Sequence, residues 1–441
     1  MRLLYLTAGA AEMYCGSCLR DNALASALLA RGHDVLLMPV YTPTTTDEKN
    51  VSASKVLFGG VSVYLEQHVP LFRHTPAFLD RLWDSTAVLK MASKRQIKVD
   101  PTVLGEMTVS MLRGLAGFQR KEILKMLSWL ETEPRFDVVN LPFALLISLA
   151  RPLREKLKAP IACTLQGEDL FLDNLQEPWK SQAMGLIRES VADVDLFIAV
   201  SDYYAGFMAR YFGIDARRIR TVPLGITLDG HQVQPARTTP PYTIGYFARV
   251  APEKGLHLLA EAYHRLRSRP NAPPTRLLAA GYLLNEHRDY LAGIEQRMRD
   301  WGLASEFTYA GAPDRAGKIA LLRQMDVFSV PAVYAEPKGL SLLEAMANGI
   351  PIVQPRHGAF TEIVERTGGG VLVPPHDVDA LADALLALLV DRDRAAALGR
   401  TGADGVPPIS SPSTAVATLM RPLAPLHGCP VRHPPWSASA A

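Results

Sequence analysis

Short β-rich apolar runs alternate along most of this chain with stretches whose apolar residues recur every three or four positions. A strand feeding a helix, repeated many times, predicts a parallel sheet covered by helices. In the first half the predicted strands are Leu3–Thr7, Asp34–Val40, Val61–Leu65, Asp137–Leu141, Ile161–Leu165 and Leu196–Val200. A first helix over Ser17–Ala30 stops before Gly32, which can take the left-handed conformation that ends a helix. In the second half the strands are Tyr242–Tyr246, Arg276–Ala280, Phe307–Ala310, Val327–Val330, Pro351–Gln354 and Gly370–Val373. Helices are predicted between them over Gly255–Arg267, Asn285–Trp301, Arg315–Met325 and Leu340–Asn348, with another at Val378–Val390. The fold class is therefore α/β, with two Rossmann-like doubly wound domains over residues 1–235 and 236–400. They join in the polar, proline-containing stretch Asp229–Pro241, and a cleft between two such domains is the expected ligand site.

Two segments depart from the pattern. Residues 68–133 are too long for a crossover and carry Phe72, Arg73, His74, Phe78, Trp83 and Trp129, so they read as a helical insertion that shapes access or partner contact. Residues 401–441 hold prolines at 407, 408, 412, 422, 425, 430, 434 and 435. That density predicts a disordered tail and an altered or frame-shifted end, with no helix after Thr401 returning to the first domain.

Charge narrows the function classes. Lys and Arg number 47 against 44 Asp and Glu, a formal charge of +3, with both signs interspersed. Nucleic-acid binding needs a concentrated basic footprint, so nucleic acid is excluded as a partner. Four cysteines in 441 residues suit a reducing compartment, and the cytoplasm is the expected location. No apolar run reaches the roughly 18 residues of a membrane-spanning helix. The amino-terminal run Leu3–Leu6 is too short for a signal peptide and reads as the first buried strand. Phe72, Arg73 and Trp83 are of the type that touches an inner membrane face peripherally. The residues do not specify an oligomeric state.

The segment AEPKGLSLLEAMANG, residues 335–349, places Glu336 in a loop and Glu344 in a helix that starts near Gly339 or Leu340. The free amides of such a helix start favour an anion by hydrogen bonding and dipole together. Two acids at this spacing, taken by themselves, read as an exposed loop acid and an ordinary helical one. The stretch resembles the paired-glutamate motif of retaining glycosyltransferases of the GT-B fold, family 4, the glycogen-synthase-like group 1. GYFARVAPEKG, residues 245–255, is similar to the family segment whose Arg and Lys meet a donor diphosphate, and the likeness runs over Thr243–Val390 in the family's order. The resemblance implies that Glu344 binds ribose hydroxyls and Glu336 the transferred sugar. It further implies that Arg249 and Lys254 hold the diphosphate with the amides of Gly339 and Leu340. The nucleotide sugar is then a co-substrate, no cofactor is expected, and the acceptor is a glycan or a lipid-linked hydroxyl. The resemblance implies no divalent metal, and no His cluster with ligand spacing occurs.

The first half matches more loosely, with Leu224 and Thr227 where the family has Asn and Asp. In the loop Ala8–Ser17, Gly16 or Gly9 would let backbone approach a substrate, and Gln166 stands where many members have a His facing the cleft. The segment GGVSVYLEQ hints at a glucan acceptor. Cys15 and Cys18 lack the second cysteine pair of a zinc site and read as small residues at a helix start, with Cys18 oxidisable if exposed. His33, His231 and His357 read as surface or capping residues. The rival functions are a nucleotide-sugar epimerase of the same fold and a non-catalytic nucleotide-sugar-binding relative. Dinucleotide binding is disfavoured because no strand is followed by G-x-G-x-x-G.

Overall fold

The structure is a computed structural model that describes residues 1–9, 16–58, 63, 66–67, 101–410 and 412–423. The chain divides into two compact units. The first comprises Met1–Val200, Tyr204–Val222 and the segment from Val416, and the second Ser201–Tyr203 and Pro223–Ala415. Each unit carries one parallel six-stranded sheet, so the predicted pair of Rossmann-like domains is present.

The first sheet has the order β2-β1-β3-β4-β5-β6. Its strands are β1 (Arg2–Thr7), β2 (Asp34–Pro39), β3 (Val138–Leu141), β4 (Ile161–Leu165), β5 (Leu196–Ala199) and β6 (Ile219–Thr221). Every residue of β3, β4 and β5 is buried, as near-continuous apolar runs in a helix-covered parallel sheet should be. β6 escapes the periodicity because it is three residues long and two of them, Arg220 and Thr221, are polar. The predicted strand Val61–Leu65 lies outside the described residues except for Val63, which is buried and in no strand. Of the predicted insertion, residues 68–100 lie outside the described residues. Its described part holds the helices Pro101–Leu112 and Arg120–Leu130, the latter burying Ile123, Met126, Leu127 and Leu130 at helical spacing.

The second sheet has the order β12-β11-β10-β7-β8-β9. It is built from β7 (Tyr242–Phe247), β8 (Thr275–Ala280), β9 (Phe307–Tyr309), β10 (Val327–Phe328), β11 (Ile352–Pro355) and β12 (Gly370–Val373). The chain winds outward from β7 to β9 and returns to β10, so the order reverses between β7 and β10. Ligands of such sheets bind beyond the carboxyl ends of the strands at that reversal. The unit begins at Pro223, ahead of the expected junction at 235/236. The intervening residues are tied down within it, for Arg315 donates to the carbonyls of Thr227 and Asp229, and Arg323 to that of Gly230.

The tail corrects the sequence reading. A helix runs over Arg392–Ser410 through Pro407 and Pro408, and another over Pro412–Leu423. Proline counting missed the glycines at 399, 402 and 405, which recur at helical spacing. A Cβ at these three positions would meet the backbones of Gly349, Gly369 and Thr367 at 2.0, 3.0 and 2.7 Å, so this helix lies backbone to backbone on its unit. Pro412 opens the last helix, where a missing N–H costs nothing. Ala415, Val416, Leu419 and Leu423 are buried. An ordered helix after Thr401 is thus present, and its residues from Val416 are grouped with the first unit. Residues 424–441 lie outside the described residues. Among the described residues no helix is long and apolar enough to cross a membrane.

Candidate functional site

The loops after β7 and β10 bring three of the predicted site residues together. After β7 the chain passes Arg249 and makes a single turn of 3-10 helix, Pro252–Lys254, before the helix Leu256–Arg267. Gly255 joins the two at φ 74°, and a Cβ there would lie 1.9 Å from the Pro331 carbonyl oxygen. Only glycine allows that approach. The Val333 amide then donates to the Glu253 carbonyl at 3.0 Å, which locks the loop after β10 onto the loop after β7.

In this frame Lys254 Nζ pairs with the Glu336 carboxylate and donates to Tyr334 Oη at 2.8 Å, while Tyr334 also donates to Glu336. Glu336 is 7% exposed. Burial alone would raise its carboxyl, but the Lys254 ammonium and the hydrogen bonds from Lys254 and Tyr334 outweigh it and hold the group below the usual carboxylate range. Burial, reinforced by the Glu336 charge, pushes the Tyr334 hydroxyl well above its ordinary value. The cluster therefore carries a fixed carboxylate and a neutral phenol at neutral pH. Arg249 acts electrostatically on the same Tyr334 and is paired with Glu253, with its side chain 43% exposed.

Gly339 caps the helix Leu340–Ala347 at φ 128°, a conformation in which a Cβ would strike Ile363 at 2.6 Å. Leu340 is the first residue of that helix, so its amide and that of Ser341 have no partner inside the helix. Glu344 lies one turn further on and pairs with Lys318 Nζ at 2.6 Å, not with the Lys254 cluster. Lys318 was not anticipated. Its one signal is a cation inside the apolar helical run Arg315–Leu322, where its side chain is 5% exposed. Tyr334, likewise missed, lies two residues before Glu336.

The remaining predicted residues belong to the first unit. Gly16 is the first residue of the helix Gly16–Ala30. The glycine with the conformational demand is Gly9, at φ 74° with a Cβ position 1.8 Å from the Thr42 carbonyl oxygen. Gln166 follows β4, is buried, and donates from Nε2 to the Pro142 carbonyl at 2.8 Å. Its amide donates to Glu168, a buried acid that also accepts from the Ala144 amide at 3.0 Å. Burial pushes the Glu168 carboxyl up. No hydrogen bond joins Gly16 to Gln166 among the described contacts.

Cys15 lies outside the described residues, and Cys18 is fully buried, so the condition for its oxidation is not met. His231 is half-buried against Asn348, and burial with the nearby Arg315, Lys318 and Arg323 lowers it to about 4. His357 bonds the Ala332 carbonyl at 3.0 Å. Among the described residues no group of three or more His, Cys, Asp or Glu is placed to hold a metal ion.

Similarity to known proteins identifies the family. The family model described as glycosyl transferases group 1 matches residues 231–404, and that described as glycosyltransferase family 4 matches residues 106–229. The phosphatidyl-myo-inositol mannosyltransferase of Mycobacterium leprae is 30% identical over 279 residues, covering 60% of this chain and 68% of that protein. A GDP-mannose-dependent alpha-(1-6)-phosphatidylinositol monomannoside mannosyltransferase of Mycobacterium tuberculosis is 28% identical over 239 residues. That match covers 51% of this chain, which thus spans 60% of the relative's length. The crystal structure of Anabaena HepE in complex with UDP superposes with a TM-score of 0.67 at 18% identity, covering 96% of this chain and all of that one, and shares the fold. The chain belongs to the group 1 glycosyl transferases.

Proposed function

We propose that this chain is a retaining glycosyltransferase that moves a sugar from a nucleotide-diphosphate sugar to a hydroxyl of a glycan or lipid-linked acceptor. The observation that carries the reading is the cluster of Lys254, Tyr334 and Glu336 beyond the carboxyl ends of β7 and β10, in the unit whose helix Leu340–Ala347 begins four residues after Glu336. Departure of a nucleoside diphosphate places growing negative charge on phosphate. Fixed cations and amide dipoles aimed at that charge stabilise the transition state. Lys254 and Arg249, with the amides of Gly339 and Leu340, take that role. Glu336 binds the hydroxyls of the transferred sugar, and Glu344 those of the ribose.

The charge compensation that a divalent metal would give comes in this reading from Arg249 and Lys254, and transfer proceeds in the presence of a chelator. The leaving phosphate oxygen accepts the proton of the attacking hydroxyl on the same face, so the anomeric configuration is retained. The first unit, with Gly16 and Gln166, receives the acceptor. Relatives named for GDP-mannose and for phosphatidylinositol support GDP-mannose as the first donor to try and a lipid-linked acceptor at a membrane surface.

The test is a thermal-shift panel of nucleotide sugars, followed by acceptor assays with EDTA and proton NMR of the product anomer. Retention of the donor's configuration with EDTA present supports the reading. Inversion, or turnover that stops with EDTA, contradicts it. Conversion of the donor to an epimer without any acceptor product would assign the chain to the isomerase alternative.

A further inference from the structure

The second unit has a cavity of about 270 Å³ at the opposite edge of its sheet from the Lys254 cluster. Asp326 directly precedes β10 and Pro351 precedes β11, and both line it, so it opens at the amino-terminal ends of the strands. Four arginines, Arg237, Arg323, Arg392 and Arg400, share this wall with one carboxylate, Asp326.

That carboxylate is engaged by two of them and offsets part of their charge. Asp326 Oδ2 accepts from the Thr243 amide at 2.8 Å and lies 3.6 Å from Arg237 Nε, and Oδ1 accepts from Arg392 Nη2 at 3.0 Å. Arg237 Nη2 donates to the Gln324 carbonyl at 3.4 Å. Arg392 spends its other donors on the carbonyls of Arg237 and Leu388. Arg323 spends one on Gly230, and Arg400 makes no hydrogen bond or ion pair among the described residues. Guanidinium donors thus remain in excess around the cavity, and their planar fork matches the oxygens of a phosphate.

A second observation narrows the ligand. Asn348 also lines the cavity and is 2% exposed. Its Nδ2 donates to the Glu344 carbonyl at 2.8 Å and lies 2.7 Å from His231 Nδ1, but its Oδ1 is buried with no partner. A buried acceptor left unpaired is costly, and a ligand hydroxyl would satisfy it. The volume lies just below the roughly 300–1,000 Å³ of pockets for drug-sized ligands, which favours a small molecule.

We infer that this cavity binds a small phosphate monoester of a polyol, its phosphate held by Arg400, Arg323 and Arg237 and a hydroxyl donated to Asn348 Oδ1. The site is separate from the one proposed for the nucleotide sugar, and its test does not depend on transferase activity. Isothermal titration of the full chain with glycerol 3-phosphate, inorganic phosphate and glycerol is done with UDP and GDP present, so that any nucleotide site is filled. Glycerol 3-phosphate should bind most tightly. Arg400→Glu, at an exposed position, should weaken it about tenfold or more while keeping the unliganded melting temperature. Lys254→Ala should leave it unchanged. Absence of glycerol 3-phosphate binding, indifference to Arg400→Glu, or competition by UDP or GDP would overturn the site. Equal affinity for inorganic phosphate would overturn the polyol assignment.

Discussion

Lys318 Nζ lies 2.6 Å from Glu344 Oε1, and the two side chains are only 5% and 13% exposed. A nearly buried ion pair is a weak source of net stability, yet removing one partner strands the other charge. Lys318→Met should therefore lower unfolding stability by about 3 kcal/mol. The double change Lys318→Met with Glu344→Leu should recover much of that loss. Urea unfolding of the four proteins measures it, and equal losses in single and double variants would show that the two charges are not coupled.

Gly255 sets the geometry of Lys254. With φ at 74° and the Pro331 carbonyl oxygen 1.9 Å from its Cβ position, Gly255→Ala must move one of the two loops. We expect a stability cost of about 1–3 kcal/mol together with weaker nucleotide binding. A variant with wild-type melting temperature and affinity would mean that the loops are not locked as described.

The state of Glu336 gives a pH signature. A carboxyl held below its ordinary value of 4.5 stabilises the fold above that value, and the contribution is lost as pH falls through the lower folded value. The stability difference between wild type and Glu336→Gln should stay constant from about pH 7 to about pH 5 and shrink below that. A difference that grows on acidification would reverse the sign of the Lys254 effect.

The last helix is tested by Leu419, which is fully buried. Leu419→Ala should cost about 2–5 kcal/mol, as core truncations do. A tail without structure would show no loss by chemical denaturation.

How far the sequence carried depends on the kind of signal. Strands such as Ile161–Leu165 were readable because burial on both faces demands an unbroken apolar run. β6 was not, since one buried Ile219 beside Arg218 and Arg220 leaves no pattern. Glu336, Glu344, Arg249 and Lys254 stood out only as a motif. Their partners Lys318 and Tyr334 belong to no motif and are fixed by tertiary packing. The tail was misread because prolines are visible one residue at a time, whereas the packing of Gly399, Gly402 and Gly405 depends on what they meet.

Nucleotide binding by Arg249→Ala tests the central claim most directly. Arg249 is 43% exposed and pairs with the partly exposed Glu253, so its removal should leave the fold intact. Isothermal titration should show that wild type binds UDP or GDP more tightly than the corresponding monophosphate. Arg249→Ala should weaken the diphosphate about tenfold or more and leave the monophosphate nearly unchanged. Equal diphosphate affinity in the two proteins would contradict the assignment of this site.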